Sequence, residues 1–319
     1  MKNIQRPLIA ALFFIFLFPN TSHAVWIWTP QSGKFVNPKM AVKSTPREQL
    51  EYALAFMDGK KYTLAMAELK KLVKNYPRAK EAPEAQYYIG QIQEVLNKPY
   101  EAYKAYQIVI DKYPFSERAA EIVVLQFKIA DQLLSGKDKR GKWVQAVVGG
   151  DDRIIEIFRA VIKNAPYGKF AAESQYKVGL YLKERGLFQE ARDEFEKTMG
   201  DYPNTEWAKA AKFQIAMADT NRAGNIQHEQ KTTSIALDEF KEFVKSHPES
   251  VLTPQAKQQI ATLRNKEAQS AFLVAEFYEK QKNFKSAAVY YQDIVSYHAD
   301  TVWASKALKR LRAITGKLK

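Results

Sequence analysis

The chain has 319 residues, a formal net charge of +14 and no cysteine. Apolar residues make up 46% of it, which is ordinary for a folded protein and excludes wholesale disorder. The lack of cysteine excludes disulfides and cysteine nucleophiles, and the positive charge favours anionic partners through long-range attraction.

The first 24 residues have the pattern of a secretory signal peptide. Basic residues come first, and the apolar run at residues 8–18 that follows is too short to span a membrane as a mature helix. Small residues stand three and one positions before the cut expected after Ala24, so we expect the mature chain to begin at Val25. An uncleaved N-terminal anchor is the alternative.

The predicted leader implies export, so the positive charge has to be interpreted outside the cytoplasm. There, lipid headgroups, lipopolysaccharide or an acidic protein face are better anionic partners than nucleic acid. We therefore expect no nucleic-acid partner, and an anionic membrane surface is a candidate partner.

Residues 25–44 precede the helical part of the chain and contain Pro and Gly at a spacing that predicts an extended segment. Trp26, Trp28 and Phe35 are too apolar for a terminal segment that makes no contacts. One interpretation is that they fold back and cap the first helical repeat. The other is that they anchor a partner or a membrane surface, since tryptophan is favoured at both, and disorder is a third alternative.

A helix-turn-helix pattern is clearest at residues 79–114. Gly90 and Ala102 are small, which lets two helices approach where they cross, and Tyr106 is large enough to fill the space beside the crossing. Pro114 cannot continue a helix and ends the second one. This arrangement matches the skeleton of the tetratricopeptide (TPR) repeat.

The same marks recur along the chain: a small residue, a large residue four positions later, and an aromatic–Pro pair or its equivalent at the end. Six second helices share them, and the pattern begins at Tyr62, Pro99, Asp151, Phe188, Thr233 and Phe284. The second helix of repeat five is expected to start at about Thr232. Their ends fit one period of 37 residues with insertions of 15, 8 and 14. The sequence predicts an all-α fold, a TPR-type helix-turn-helix α-solenoid of about five to six repeats.

This frame divides the mature chain into three parts. The extended segment at 25–44 is followed by N-terminal repeats 1–3 at 45–166 and C-terminal repeats 4–6 at 167–319. A helix predicted at 302–315 closes the array, as a solenoid requires. Its polar side is either a solvated capping face or a basic surface for an anionic partner, and it carries Lys306, Lys309, Arg310 and Arg312.

The insertion at 135–150 superficially fits a phosphate-binding loop, with Gly136 followed by Gly141 and Lys142. We reject that interpretation, because Trp143 occupies the position of the magnesium-binding hydroxyl and no strand precedes the loop. A charged surface insertion explains the segment better.

We find no candidate catalytic, cofactor or metal site in the sequence. His228, His247 and His298 follow the leader, and no two of them have the four-residue spacing of a helical zinc site. The acidic pair Asp151–Asp152 is explained by helix capping. We therefore expect a protein that is not an enzyme and needs no cofactor.

A concave binding surface remains as the candidate site. In TPR proteins the first helix of each pair lines the groove, and aromatic and long polar side chains there can grip a peptide. The positions expected to be exposed are Leu50, Leu54, Glu84, Tyr87, Gln91, Glu94, Tyr176 and Leu180. For each of these residues, packing between adjacent repeats is the alternative.

The stretch at 250–284 reads SVLTPQAKQQIATLRNKEAQSAFLVAEFYEKQKNF, and three earlier repeats end in Tyr–Pro at Tyr76, Tyr113 and Tyr202. With these marks the chain resembles the BamD family, periplasmic TPR lipoproteins of the machinery that inserts β-barrel proteins into the outer membrane. The resemblance covers about residues 45–315.

The resemblance implies a periplasmic scaffold, peripheral to the outer membrane, that takes part in outer membrane assembly through protein–protein interaction. Its N-terminal half would meet unfolded barrel precursors, and its C-terminal half would dock on the outer-membrane insertase. The family carries a lipid on its first mature cysteine, whereas this chain has Val25 there, so no lipid anchor is expected. The alternative is a general periplasmic TPR adaptor for cell-envelope or cell-division complexes.

Overall fold

The computed structural model describes residues 27–29, 34–36, 41–135, 151–222 and 229–316. The predicted leader, Trp26, the insertion after Ser135 and the last three basic-tail residues lie outside these ranges.

A short hairpin and thirteen helices make up the described part of the chain. Strand β1 pairs antiparallel with β2, which places Trp28 opposite Phe35. The elements are β1 Ile27–Thr29, β2 Lys34–Val36, α1 Pro46–Asp58, α2 Tyr62–Asn75, α3 Ala82–Val95, α4 Pro99–Lys112, α5 Ala119–Leu134, α6 Asp151–Asn164, α7 Ala171–Glu184, α8 Phe188–Asp201, α9 Glu206–Arg222, α10 Glu229–Ser246, α11 Thr253–Lys280, α12 Phe284–Tyr297 and α13 Val302–Thr315.

The all-α prediction is confirmed, and the repeat marks locate the helix starts well. In five of the six second helices, the first residue of the repeat pattern is also the first residue of the helix, and α13 spans Val302–Thr315 as predicted. The exception is α10, which begins at Glu229, whereas its start was expected at about Thr232. No Gly or Pro separates these two positions, and Glu, Gln and Lys are good helix formers, so the helix extends by one turn.

The first compact unit ends at Ile92 and contains the α1–α2 pair. Thr45 caps α1, since its Oγ1 accepts a hydrogen bond from the backbone N–H of Glu48 at 3.2 Å, and Pro46 occupies the first turn as predicted. The core of this pair has Ala53 on α1 and Leu69 on α2, both fully buried. A small residue on the first helix thus lets the second helix pack closely.

The second unit begins at Gln93, and its pair α7–α8 shows the helix crossing most clearly. Gly179 lies against the ring of Phe195, so close that a Cβ added to Gly179 would stand 2.5 Å from Cε1 of that ring. Phe195 is fully buried and packs on Tyr176, with ring centroids 5.6 Å apart. The glycine is therefore required by the close approach of a ring that has no free space beside it.

Helix α11 departs from the regular pattern, because its 28 residues contribute to two successive cores. Ala256, near its start, belongs to a core with Phe240 of α10. Phe272 and Ala275, near its end, belong to the next core with Tyr291 of α12. One continuous helix thus completes one repeat and begins another.

Candidate protein-binding surfaces

The predicted groove residues of the first unit lie on α1 and α3. Leu50 and Leu54 are half-buried on α1, and Glu84 and Gln91 are half-buried on α3. Tyr87 is only 3% exposed, and its hydroxyl accepts a hydrogen bond from Nε2 of Gln91 at 2.9 Å.

In the second unit, Glu94 is exposed at the end of α3 and accepts a hydrogen bond from the hydroxyl of Tyr106. Leu180 is half-buried on α7, whereas Tyr176 of the same helix is 8% exposed. The Tyr176 ring also packs on Trp207 of α9, with ring centroids 5.3 Å apart, and burial raises the pKa of its hydroxyl.

The expectation that all eight residues are exposed is wrong for Tyr87 and Tyr176. For Tyr176 the reason is that its ring fills the space between α7, α8 and the next first helix, α9. This is the inter-repeat packing that was the alternative for each position. Peptide binding by the other, more accessible residues stays a prediction.

Two aromatic side chains of the hairpin are exposed to solvent. Trp28 is 53% exposed and Phe35 is 66% exposed. As directly opposed residues of an antiparallel pair, they share one face of the hairpin. The role of these rings as an anchor or as a cap stays a prediction.

In each of two repeats, a tyrosine–glutamate hydrogen bond joins the two helices of the pair. The sequence analysis did not predict these bonds. The hydroxyl of Tyr106 donates to Glu94, and the hydroxyl of Tyr291 donates to Glu279 at 3.0 Å, each across 12 residues of sequence. Arg310 of α13 also binds Glu279, at 2.7 Å. Burial and the bond to Glu279 raise the pKa of Tyr291 to about 12.

A buried glutamine also recurs on the first helix of a helix pair, and the sequence could have revealed it. Gln49 donates to Glu68 at 2.8 Å, and Gln175 donates to Glu194, both across 19 residues. Gln49, Gln175 and Glu194 are buried, and in each pair the glutamine amide satisfies the carboxylate of the second helix. The recurring spacing of glutamine and glutamate is visible in the sequence itself.

A partly buried cluster of charges lies between α8, α9 and α10. Arg192 of α8 forms ion pairs with Asp219 of α9 and with Glu239 of α10, the latter at 2.9 Å. Burial raises the pKa of Glu239. A cleft of about 270 Å³ beside Arg192 is lined by residues of both charge signs, so the arrangement favours holding three helices together over binding one kind of ion.

The basic face of α13 is partly occupied by contacts within the protein. Lys306 lies 4.0 Å from the centre of the Trp303 ring, and Arg310 is paired with Glu279. Lys309 and Arg312 are exposed. Two of the four cations thus stabilise the end of the array, as expected for a capping face.

Within the described ranges, no helix is long and apolar enough to cross a membrane. The same residues contain no group of three or more His, Asp or Glu side chains placed to hold a metal ion.

Comparison with protein families gives two matches. Residues 216–319 match the outer membrane lipoprotein family YfiO. Residues 49–79 and 84–116 match a tetratricopeptide repeat family. The first match covers the end of α9 and all of α10 to α13, which includes the shared helix α11.

A curated relative is the outer membrane protein assembly factor BamD of Caulobacter vibrioides, which is 22% identical over 179 residues. The aligned part is 56% of this chain and 56% of the relative, so the chain spans about half the length of the protein it matches.

Several solved structures of repeat proteins are similar at low identity. MamA is 15% identical, with 64% of this chain and 92% of MamA covered at a TM-score of 0.34. A TPR protein from Parabacteroides merdae is 14% identical, with 78% and 91% covered at 0.33. The C-terminal part of a TPR protein from Cytophaga hutchinsonii is 15% identical, with 83% and 88% covered at 0.35. At this level of likeness the structures say nothing of function.

The repeat frame seen in the sequence, the helix pairs of the fold and the two family matches agree with one another. Over residues 216–319 the chain is similar to the outer membrane lipoprotein family YfiO, and its helix pairs have the fold of tetratricopeptide repeat proteins.

Proposed function

We propose that the protein is a periplasmic scaffold that takes part in the assembly of β-barrel proteins into the outer membrane through protein–protein binding. It works without a cofactor and catalyses no reaction. It is exported, stays peripheral to the outer membrane, and is held there by partners or by the hairpin aromatics in place of a lipid.

The observation that carries the proposal is the match of residues 216–319 to the outer membrane lipoprotein family. This part of the chain has a specific architecture, a helix of 28 residues shared by two cores and closed by α13. The curated relative, an assembly factor of outer membrane proteins, supports the same role.

The proposed mechanism is binding by rigid helix faces. In the first unit, the half-buried Leu50, Leu54 and Gln91 offer apolar and amide contacts to an unfolded barrel precursor. In the second unit, the face of α11 to α13 docks on the insertase. Such a scaffold raises the local concentration of precursor beside the insertase, which is how it would accelerate assembly without chemistry of its own.

The test is a crosslinked pull-down of the tagged mature chain from its own envelope, read by mass spectrometry. We expect recovery of the outer-membrane insertase and of barrel precursors. Recovery of division or peptidoglycan proteins without the insertase would contradict the proposal and would favour a general periplasmic adaptor.

A pair of variants makes the pull-down specific. Leu50→Glu with Leu54→Glu should reduce precursor recovery, because charge is placed on the proposed contact face. Leu64→Glu is the matched control, since Leu64 of α2 is 50% exposed and lies on a second helix. Circular dichroism of the purified variants checks that both remain folded.

A further inference from the structure

Helix α11 carries one row of residues at alternating spacings of four and three, the spacing with which one helix packs along another. The first part of the row packs on α10. Ala256 and Leu263 are buried in a core with Phe240 of α10. Ile260 packs against the same core. The row consists of Ala256, Ile260, Leu263, Glu267, Ser270, Val274 and Phe277. It therefore continues for four positions beyond Leu263, the last α11 residue of that core.

The last part of the row is open to solvent. Phe277 is 58% exposed, and Leu273, which flanks the row, is 55% exposed. Ser270 and Val274 are half-buried beside them. Positions three, four and seven residues apart lie on one side of a helix, so these four residues form one surface. It is called the open face of α11 below.

The packing of α7, α8 and α9 recurs in the second half of α11, α12 and α13, at an offset of 96 residues. In each set an aromatic ring of the first helix contacts a ring of the second helix and a tryptophan of the third, with centroids 5.1 to 5.6 Å apart. The two sets are Tyr176 with Phe195 and Trp207, and Phe272 with Tyr291 and Trp303. Residues of α7 and α11 that are 96 positions apart are therefore structurally equivalent.

The face of α7 that is equivalent to the open face is covered by the preceding helices. Lys177 is the counterpart of Leu273. Its ammonium pairs with Asp131 and lies 5.3 Å from the centre of the Phe127 ring, and both partners belong to α5. The other counterparts, all buried, are Ser174, Val178 and Tyr181. In α11 the face lacks this cover, because the long helix runs on past its core with α10.

Exposure alone does not account for apolar residues on this side of α11. Gln255 stands 18 residues before Leu273, which is five helical turns, and so points in the same direction. Gln255, Gln258 and Thr262 are exposed and polar. The exposed side thus changes from polar to apolar where the helix leaves α10. A change of this kind is typical of a binding surface.

We propose that the open face binds an amphipathic helix of a partner protein, which packs along the second half of α11 as α10 packs along the first. Ala236, Phe240 and Phe243 of α10 show the required pattern, apolar residues at spacings of four and three. A helix is favoured over a membrane because Ser270 stands two heptads after Ala256 and continues its row of small residues. Small residues let helices approach closely and add nothing to membrane contact.

The inference rests on the packing of α11 and not on which complex the protein serves. It can therefore fail or succeed independently of the proposed role in outer membrane assembly. The first experiment places the photo-crosslinker p-benzoyl-phenylalanine at Leu273 of the full chain in its own bacterium, with Gln258 as the matched position on the polar part of the same side. Mass spectrometry maps the crosslinked segment. We expect a protein adduct at Leu273 and none at Gln258, and the captured segment should have apolar residues at spacings of three and four.

The second experiment titrates the captured segment, as a synthetic peptide, against the mature chain by fluorescence anisotropy. Leu273→Ser with Phe277→Ser should raise its Kd by at least ~10-fold, as for anchor residues of an interface. Val289→Ser is the matched control, since Val289 of α12 is 60% exposed and lies outside the open face, and it should leave Kd unchanged. Circular dichroism should show that the peptide becomes helical on binding. It should also show unchanged thermal unfolding of both variants, because the replaced side chains are exposed.

Four results would overturn the proposal. The first is the absence of a protein adduct at Leu273, including a product with lipid alone. The second is capture of a second copy of this chain. The third is a captured segment that lacks the apolar spacing or binds without becoming helical. The fourth is an equal Kd for the wild type and for the Leu273→Ser, Phe277→Ser variant.

Discussion

The crossing of α7 and α8 and the crossing of α11 and α12 use the same sequence frame with different residues. In the first, Gly179 lies 16 positions before Phe195, and in the second Ala275 lies 16 positions before Tyr291. The glycine admits a ring against the helix backbone, as its missing Cβ would stand 2.5 Å from that ring. At the second crossing, alanine and tyrosine are both fully buried.

The tyrosine crossing has a polar contact that the phenylalanine crossing lacks. The hydroxyl of Tyr291 reaches Glu279, which also binds Arg310 of the closing helix. At the position equivalent to Glu279, α7 has Lys183, whose Nζ donates to Gln214 of α9. The α7–α8 crossing is thus stabilised by close packing. The α11–α12 crossing is also stabilised by the hydrogen bonds of Glu279, which connect it to the closing helix α13.

The largest expected effect is at the glycine crossing. Gly179→Ala should lower the free energy of unfolding by about 2 kcal/mol, because the new methyl group meets a buried ring that cannot move aside. Urea unfolding followed by circular dichroism measures this.

Gly200→Ala is the matched control for this substitution. It lies in α8, and nothing stands within 4 Å of its added Cβ. It should raise the free energy of unfolding by about 0.5 kcal/mol through helix propensity. Equal effects of the two substitutions would contradict the packing explanation.

The next effect is at the tyrosine crossing. Tyr291→Phe should lower the free energy of unfolding by about 1 kcal/mol, because the ring stays while the bond to Glu279 is lost. The raised pKa of Tyr291 means that the bond stabilises the fold below pH ~10 and is lost as pH rises towards about 12. If the difference in unfolding free energy between wild type and Tyr291→Phe were the same above that pH range as below it, this assignment would be wrong.

The smallest effect concerns the turn that leads into α13. Arg264 of α11 donates through Nε to Asp300 at 2.7 Å, and this bond lowers the pKa of Asp300. A lowered pKa stabilises the fold above the ordinary carboxyl pKa of about 4, and the stabilisation is lost as pH falls through the lowered value.

Asp300→Asn should therefore cost ~0.5 kcal/mol at pH ~7, since the carboxyl is largely exposed and screened. The cost should be smaller at pH ~2 than at pH ~7, because protonation of the wild-type carboxyl removes the charge that asparagine lacks. Urea midpoints at the two pH values measure it, and a pH-independent difference would refute the ion-pair explanation.

Most of the fold could be predicted from the positions of the repeated residues in the sequence. The small–large–proline marks predicted the six second helices, and in five of them the pattern and the helix begin at the same residue, because Pro, Gly and Ala act locally on helix ends and crossings. The start of α10 was missed, since no local breaker fixes it.

Side-chain exposure was harder to predict. Tyr176 was expected on an open groove, but it is covered by Trp207, a residue 31 positions later. Such contacts depend on how successive repeats stack, which periodicity alone does not give.

The central claim is that the protein assists the assembly of β-barrel proteins. The most direct measurement is depletion of the protein in its own bacterium, followed by quantitative mass spectrometry of the outer membrane fraction. The account predicts a broad loss of β-barrel proteins that the wild-type chain restores. Normal barrel levels after full depletion would contradict it.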